Sequence, residues 1–146
     1  PSAPPVLATL SKKKELLNMS NVYSAQNVAA YLIYELNDVH AFVNSIAIQH
    51  LLADVNSMWQ KVFGHCAFSE ATHFLENGHV VKEVAEAYEE LDNGHISEPA
   101  KEWYLKYGEF QLILRPYGIP AYTAKEQLVM SKVIDRYRSE AIDIAV

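Results

Sequence analysis

IAIQHLLADVNSMWQKVFGHCAFSEATHFLENGHVVKEVAEAYEEL, residues 46–91, decides how the rest of the chain is arranged. In it Ile48, Leu51, Leu52, Val55, Trp59 and Val62 recur every three or four positions, which places them on one stripe of a helix. Gln49, His50, Asp54, Asn56, Gln60 and Lys61 fall largely outside that stripe. Asn44 or Ser45 can cap the start by accepting a backbone N–H bond, and Gly64 supplies a left-handed exit after Phe63. After a less periodic crossing, Val81, Val84, Ala85 and Tyr88 give a second helix its apolar face, while Glu83, Glu86, Glu89 and Glu90 give it an acidic outer face. Asn93-Gly94 stops that helix.

Outward from this pair the same patterns continue. Ser24 caps a helix of about three turns that buries Val28, Ala29, Leu32, Ile33 and Leu36, with Tyr31 and Tyr34 at its rim, and Asn37-Asp38 ends it. Between the central helices, Ala67-Phe68 and Thr72-His73-Phe74-Leu75 fit extended chain, so a small strand pair is possible there. Further on, Ser97 with Glu98 and Pro99 reads as a helix start. Trp103, Tyr104, Tyr107 and Phe110 then follow at helical spacing as a packing face, and 110–114 fits either a strand or a helix end. Thr123 and Glu126 form a capping box for a last helix with Val129, Met130, Val133, Ile134 and Tyr137 inward. The expected fold is mainly α: a single compact helical domain of about five or six helices, with at most a small β-element near residues 66–80 or 110–115. Residues 1–18 are expected to be a tail, mobile or docked through Leu7, Leu10 and Leu17, and 19–146 the domain.

Composition narrows the function. Half of the 146 residues are apolar, enough for a real core, and 12 basic against 18 acidic residues give a formal charge of -6. That balance argues against a nucleic-acid surface and suits a basic or neutral protein partner. A lone cysteine, Cys66, forbids an intrachain disulfide, and no apolar run approaches the roughly 20 residues of a membrane span. Lys12-Lys13-Lys14 follow rather than precede the first apolar residues, unlike a secretory signal, so a cytoplasmic protein is expected.

Chemistry-bearing motifs are scarce. No phosphate-cradling glycine loop, nucleophile elbow or dinucleotide fingerprint occurs, and no enzyme, cofactor or metal is expected. His65, Cys66, His73, His79 and His95 hold the right atoms for zinc or for a cysteine–histidine enzyme, which stands as the alternative, but their spacing matches no known finger. A transcriptional regulator is a second alternative, although no helix-turn-helix with a basic recognition helix is evident.

Four blocks carry a resemblance. Val28-Ala29-Ala30-Tyr31-Leu32-Ile33, Ile48-Gln49-His50-Leu51-Leu52, Ala67-Phe68, and Asn77-Gly78-His79-Val80-Val81-Lys82-Glu83-Val84-Ala85-Glu86-Ala87-Tyr88 follow in an order and spacing that resembles the Panacea domain, over roughly Val22 to Leu91. The chain departs from that pattern at His50, where a lysine is usual, at Ala53 and Asp54, where tyrosines are usual, and at His79, where a proline is usual. The resemblance implies an antitoxin that neutralises a cognate protein toxin by direct contact. It also implies a further C-terminal helix, so this chain looks shortened and the surface which that helix covers would be open. Family-like turn and charged surface coincide at Asn77, Gly78, His79, Glu83, Glu86, Tyr88 and Glu90, the expected partner-binding residues.

Overall fold

The computed structural model describes residues 21–75, 78–92, 94–106, 108 and 110–145. Its helices are α1 (Ala25–Asp38), α2 (Ser45–Phe63), α3 (Lys82–Ala87) and α4 (Ala124–Ala145), with a 3-10 turn at Glu89–Leu91. Strands β1 (His73–Leu75) and β2 (Gly78–Val80) form one antiparallel pair, and β3 (Lys101–Lys106) and β4 (Gln111–Pro116) form another. The expectation of a mainly α domain with five or six helices is therefore corrected: the described residues hold four α-helices and two two-stranded sheets, an α+β mixture. The helix expected from Ser97 through Phe110 is not found among the described residues, where Lys101–Lys106 is strand. Trp103 and Tyr104 lie instead on β3, because bulky aromatic and branched side chains suit an extended backbone whose partner strand lies within a short turn. The expected tail, 1–18, lies outside the described residues.

The three longer helices start where local chemistry dictates. Ser24 Oγ accepts from Asn27 N at 3.2 Å at the start of α1, and Asn44 Oδ1 accepts from Ala47 N at 2.8 Å at the start of α2. Gly64, at φ 82°, closes α2 in the left-handed conformation that residues with a Cβ avoid. In the capping box of α4, Glu126 N donates to Thr123 Oγ1 at 3.2 Å and Thr123 N donates to Glu126 Oε1 at 2.8 Å. That helix runs on through Ser139 to Ala145.

Between them lies the core. Val28, Leu32, Ile33 and Leu36 of α1, Ile48, Leu51, Leu52, Val55 and Trp59 of α2, and Val129, Met130 and Val133 of α4 are buried together with Ala67, Phe68, Val81, Val84 and Ile96. Val62, expected on the buried stripe, is exposed near the end of α2. Gln49, expected outside the stripe, is buried. Asn37 both ends α1 and ties it down: its Nδ2 donates to Ile33 O at 2.7 Å and to Ile96 O at 2.9 Å.

Glu126 is fully buried, and both of its oxygens accept hydrogen bonds, as burial requires. Besides Thr123 N, it accepts from Asn21 N at 2.9 Å and from the Tyr23 hydroxyl at 2.7 Å, so the chain before α1 is fastened to the start of α4. Tyr23 also forms an isolated parallel bridge with Phe68, donating from N to Ala67 O at 2.8 Å. The expected extended character of Ala67-Phe68 is thus used against Tyr23, while His73–Leu75 pairs with Gly78–Val80.

Around Glu126 stands an aromatic cluster centred on Tyr122. Its ring meets Tyr23 edge-on at 4.9 Å and Tyr31 edge-on at 4.8 Å, and Trp59 lies 6.1 Å away. Among the described residues the Tyr122 hydroxyl and Trp59 Nε1 are buried without a partner.

Two outcomes follow for Tyr122→Phe. At neutral pH the substitution should be neutral or slightly stabilising in urea denaturation, since it removes an unsatisfied buried hydroxyl and keeps the ring. Burial pushes the Tyr122 phenol far above its ordinary value of 10.0, with the neighbouring Tyr23 and Tyr31 adding to the rise. Below pH 10 the phenol is neutral in both states and this contribution is complete; above it the unfolded chain ionises first, binds fewer protons, and stability falls. The alkaline fall should be shallower in Tyr122→Phe than in the parent chain, and an equal slope would show that Tyr122 ionises freely in the fold.

Candidate functional site

The acidic helix is positioned from the core outward. Val81 N donates to Gln49 Oε1 at 2.8 Å and Gln49 Nε2 donates to Val81 O at 3.3 Å, so one buried amide on α2 satisfies both backbone groups of the residue that starts α3. With six residues and no side-chain cap, α3 is too short to persist alone. Val81, Val84 and Tyr88 anchor it in the core, and Gln26 Nε2 on α1 donates to Glu83 O at 2.8 Å. The apolar face expected for this helix is present, but the helix is shorter than expected, giving way to the 3-10 turn after Tyr88.

From α3 the chain of bonds reaches the second sheet. The Tyr88 hydroxyl accepts from Ala100 N at 2.9 Å, and Ala100 O accepts from Tyr117 N at 2.9 Å, which closes the base of the β3–β4 hairpin beside the acidic helix. Between helix and hairpin base lies a cleft of about 570 Å³. Glu83, Glu86, Glu90 and Glu98 line it with Lys101 as the cation, a balance of four carboxylates to one ammonium. Glu86 lies 4.0 Å from Lys82 in a well-exposed pair, which neutralises it weakly. Among the described residues Glu83, Glu90 and Glu98 have no ion-pair partner. Gln26 Oε1, on the cleft wall, is buried without a donor among the described residues.

Such an arrangement binds cations and N–H donors. Carboxylates held on one wall attract an ammonium or guanidinium group, and the orphaned amide oxygen accepts a further hydrogen bond. The described lining holds no histidine, cysteine or serine that would act as a nucleophile or base.

Of the expected partner-binding residues, Glu83, Glu86, Tyr88 and Glu90 meet at this cleft. Tyr88, expected at the edge of the core face, is only 2 % exposed and spends its hydroxyl on Ala100, so it positions the cleft from beneath. Burial pushes its phenol up, while the bond from Ala100 N–H pulls it the other way. Gly78 and His79 lie on β2, opposite Leu75 and Phe74, and Asn77 lies outside the described residues. Sequence reasoning missed Gln26, Glu98, Lys101 and Tyr117, because Glu98 and Lys101 were assigned to a helix that is absent.

Two of the residues named for the zinc and cysteine–histidine alternatives, His95 and Cys66, lie at opposite ends of α2. Among the described residues no three histidine, cysteine or acidic side chains lie close enough to share a metal ion. His95 accepts from Val43 N at 3.1 Å through Nδ1 and bonds Asn37 Oδ1 through Nε2 at 2.7 Å, just before α2 begins. Cys66 follows the far end of that helix, exposed and accepting from Gln60 Nε2 at 3.1 Å. The helix between them is about 28 Å long by its rise per residue. No helix among the described residues is long and apolar enough to cross a membrane.

In comparisons with protein-family models, curated proteins and solved structures, the chain matches none.

Removing the Tyr88 hydroxyl tests how the cleft is built. Tyr88→Phe keeps the buried ring but leaves Ala100 N without its acceptor, so it should cost about 1–2 kcal/mol and speed hydrogen exchange at the Ala100 amide. Unchanged exchange at Ala100 would mean that the hairpin base is held by other contacts.

Proposed function

We propose that this chain is a cytoplasmic antitoxin of the Panacea type, which neutralises a cognate protein toxin by binding it and performs no chemistry of its own. The observation that carries the reading is the acidic cleft, with four carboxylates against one ammonium on the outer side of the last of the four family-like blocks. The blocks themselves support it. Val28, Leu32 and Ile33, then Ile48, Leu51 and Leu52, then Ala67 and Phe68, then Val81, Val84 and Tyr88 are buried in one continuous core, so their succession in the sequence corresponds to one packed unit.

An acidic surface of this kind favours a basic toxin. Its main effect is on encounter: opposite charges steer the partners together, while buried contacts set the lifetime of the complex. The direct experiment is co-expression with the protein encoded by the neighbouring gene, in cells whose growth that protein arrests. Restored growth and a purified one-to-one complex are expected; continued arrest, with both proteins soluble and present, would contradict the proposal.

Charge reversal then locates the contact. Glu83→Lys with Glu90→Lys should slow association about tenfold at low salt and flatten its salt dependence, leaving the melting temperature nearly unchanged because both side chains are exposed. Unaltered association kinetics would place the interface elsewhere on the molecule.

A further inference from the structure

The two faces of the β3–β4 hairpin differ in kind. Residues opposite one another in an antiparallel pair share a face, and here Trp103 stands opposite Leu114 and Leu105 opposite Leu112. On the other face Tyr104 stands opposite Ile113, and Glu102 opposite Arg115. That second face is completed from within: Arg115 Nε donates to Glu102 Oε1 at 3.1 Å, and the guanidinium lies over the Tyr104 ring, 3.8 Å from its centre. The first face is open. Trp103 is 67 % exposed, Leu105 56 %, Leu112 66 % and Leu114 47 %, while Phe110, near the turn, is 91 % exposed.

A lone two-stranded hairpin is marginal in water, and this one carries Trp103, Leu105, Leu112 and Leu114 on the side that no described residue covers. Four such side chains on one face make a patch on the order of a few hundred Å², the size at which exposed apolar surface marks an interaction site. Its base is also the wall of the acidic cleft, through Pro99, Ala100, Lys101 and Tyr117. Apolar face and acidic cleft are thus adjoining parts of one surface.

We infer that this surface docks a cationic amphipathic segment of a protein partner, with the apolar side of the segment on Trp103, Leu105, Leu112 and Leu114 and its ammonium or guanidinium groups in the acidic cleft. Charge selects this occupant over a second copy of the chain. Self-association through the hairpin would bring two cleft walls of four carboxylates towards each other, on chains that each carry a net charge of -6. A cationic segment meets both halves of the surface with complementary chemistry, and the cleft alone would attract cations without discriminating among them. The inference takes a protein as the partner from the antitoxin reading, but its test needs no toxin.

Trp103 is a built-in reporter, because Trp59 is already fully buried and any blue shift on binding must come from the exposed indole. Three synthetic peptides serve as probes: an amphipathic lysine–leucine peptide, its glutamate–leucine counterpart, and a lysine–serine peptide of equal charge. The lysine–leucine peptide alone should give a saturable blue shift. Leu112→Lys with Leu114→Lys should weaken that binding at least about tenfold, as loss of a central apolar contact does, and Gln111→Lys on the opposite face should leave it unchanged. Should the double-lysine variant disturb the far-ultraviolet circular dichroism, Leu105→Ser is read in its place. The inference is overturned if the lysine–serine peptide binds as tightly, if the glutamate–leucine peptide binds equally, if no peptide shifts the spectrum, or if the parent chain dimerises through a contact that Leu112→Lys abolishes. In the growth assay, rescue by the parent and by both hairpin variants alike would remove the docking face and leave the antitoxin reading. Absence of rescue by the parent, with peptide binding intact, would do the reverse.

Discussion

A single buried amide, that of Gln49, sets where the outer half of this molecule sits. Its oxygen accepts from the N–H of Val81, a donor that would otherwise be buried unsatisfied at a cost of about 1–3 kcal/mol, and its nitrogen donates to the C=O of Val81, which also accepts from Ala85 N at 3.0 Å. Because the amide projects from α2, which packs against both α1 and α4, the start of α3 is referred directly to the core. The core then reaches further through Tyr88, whose ring is buried and whose hydroxyl holds Ala100. Core helix, acidic helix and hairpin base are thereby joined by side-chain-to-backbone bonds. None of these depends on the flexible surface charges.

That construction separates support from contact. Gln49, Val81, Val84 and Tyr88 are buried and fix geometry, whereas Glu83, Glu86, Glu90 and Glu98 are exposed and contribute charge. Exposed carboxylates on one side of a short helix weaken it slightly by mutual repulsion, and the anchoring residues offset that cost. The hairpin has the opposite balance: its polar face is satisfied internally by Arg115, Glu102 and Tyr104, and its apolar face is left to solvent. A surface with carboxylates in a recess and apolar side chains beside it matches the division between a polar recognition zone and an apolar anchor seen in specific interfaces.

What the sequence revealed and what it concealed follow from the range of the interactions. The starts of α1, α2 and α4 were legible because Ser24, Asn44, Thr123 and Glu126 act within three residues of their partners, and the buried stripes of those helices repeat locally. The burial of Gln49 was hidden, since its partner lies 32 residues away and nothing in a helical period distinguishes a buried amide from a solvated one. At the second sheet the local signals misled. Trp103, Tyr107 and Phe110 recur every three or four positions, and Ser97-Glu98-Pro99 has the chemistry of a helix start, yet the pairing of Trp103 with Leu114 and the stacking of Arg115 on Tyr104 decide for strands. The turn joining them needs Gly108 at φ 87° and Phe110 at φ 50°, a left-handed pair that breaks any helix. Half of the candidate site was legible as an acidic helix face; its opposite wall belonged to the misassigned segment.

The central claim is that acidic helix and hairpin together form the contact surface. Amide hydrogen exchange, read residue by residue on the chain alone and bound to the toxin that the proposed function assigns to it, tests it most directly. New protection is expected along Lys101–Lys106, Gln111–Pro116 and Glu83–Leu91, where strands and turn are exposed in the free chain, with little change along the already protected core of α2. Protection confined to the outer face of α4, with the hairpin exchanging as fast as in the free chain, would contradict it.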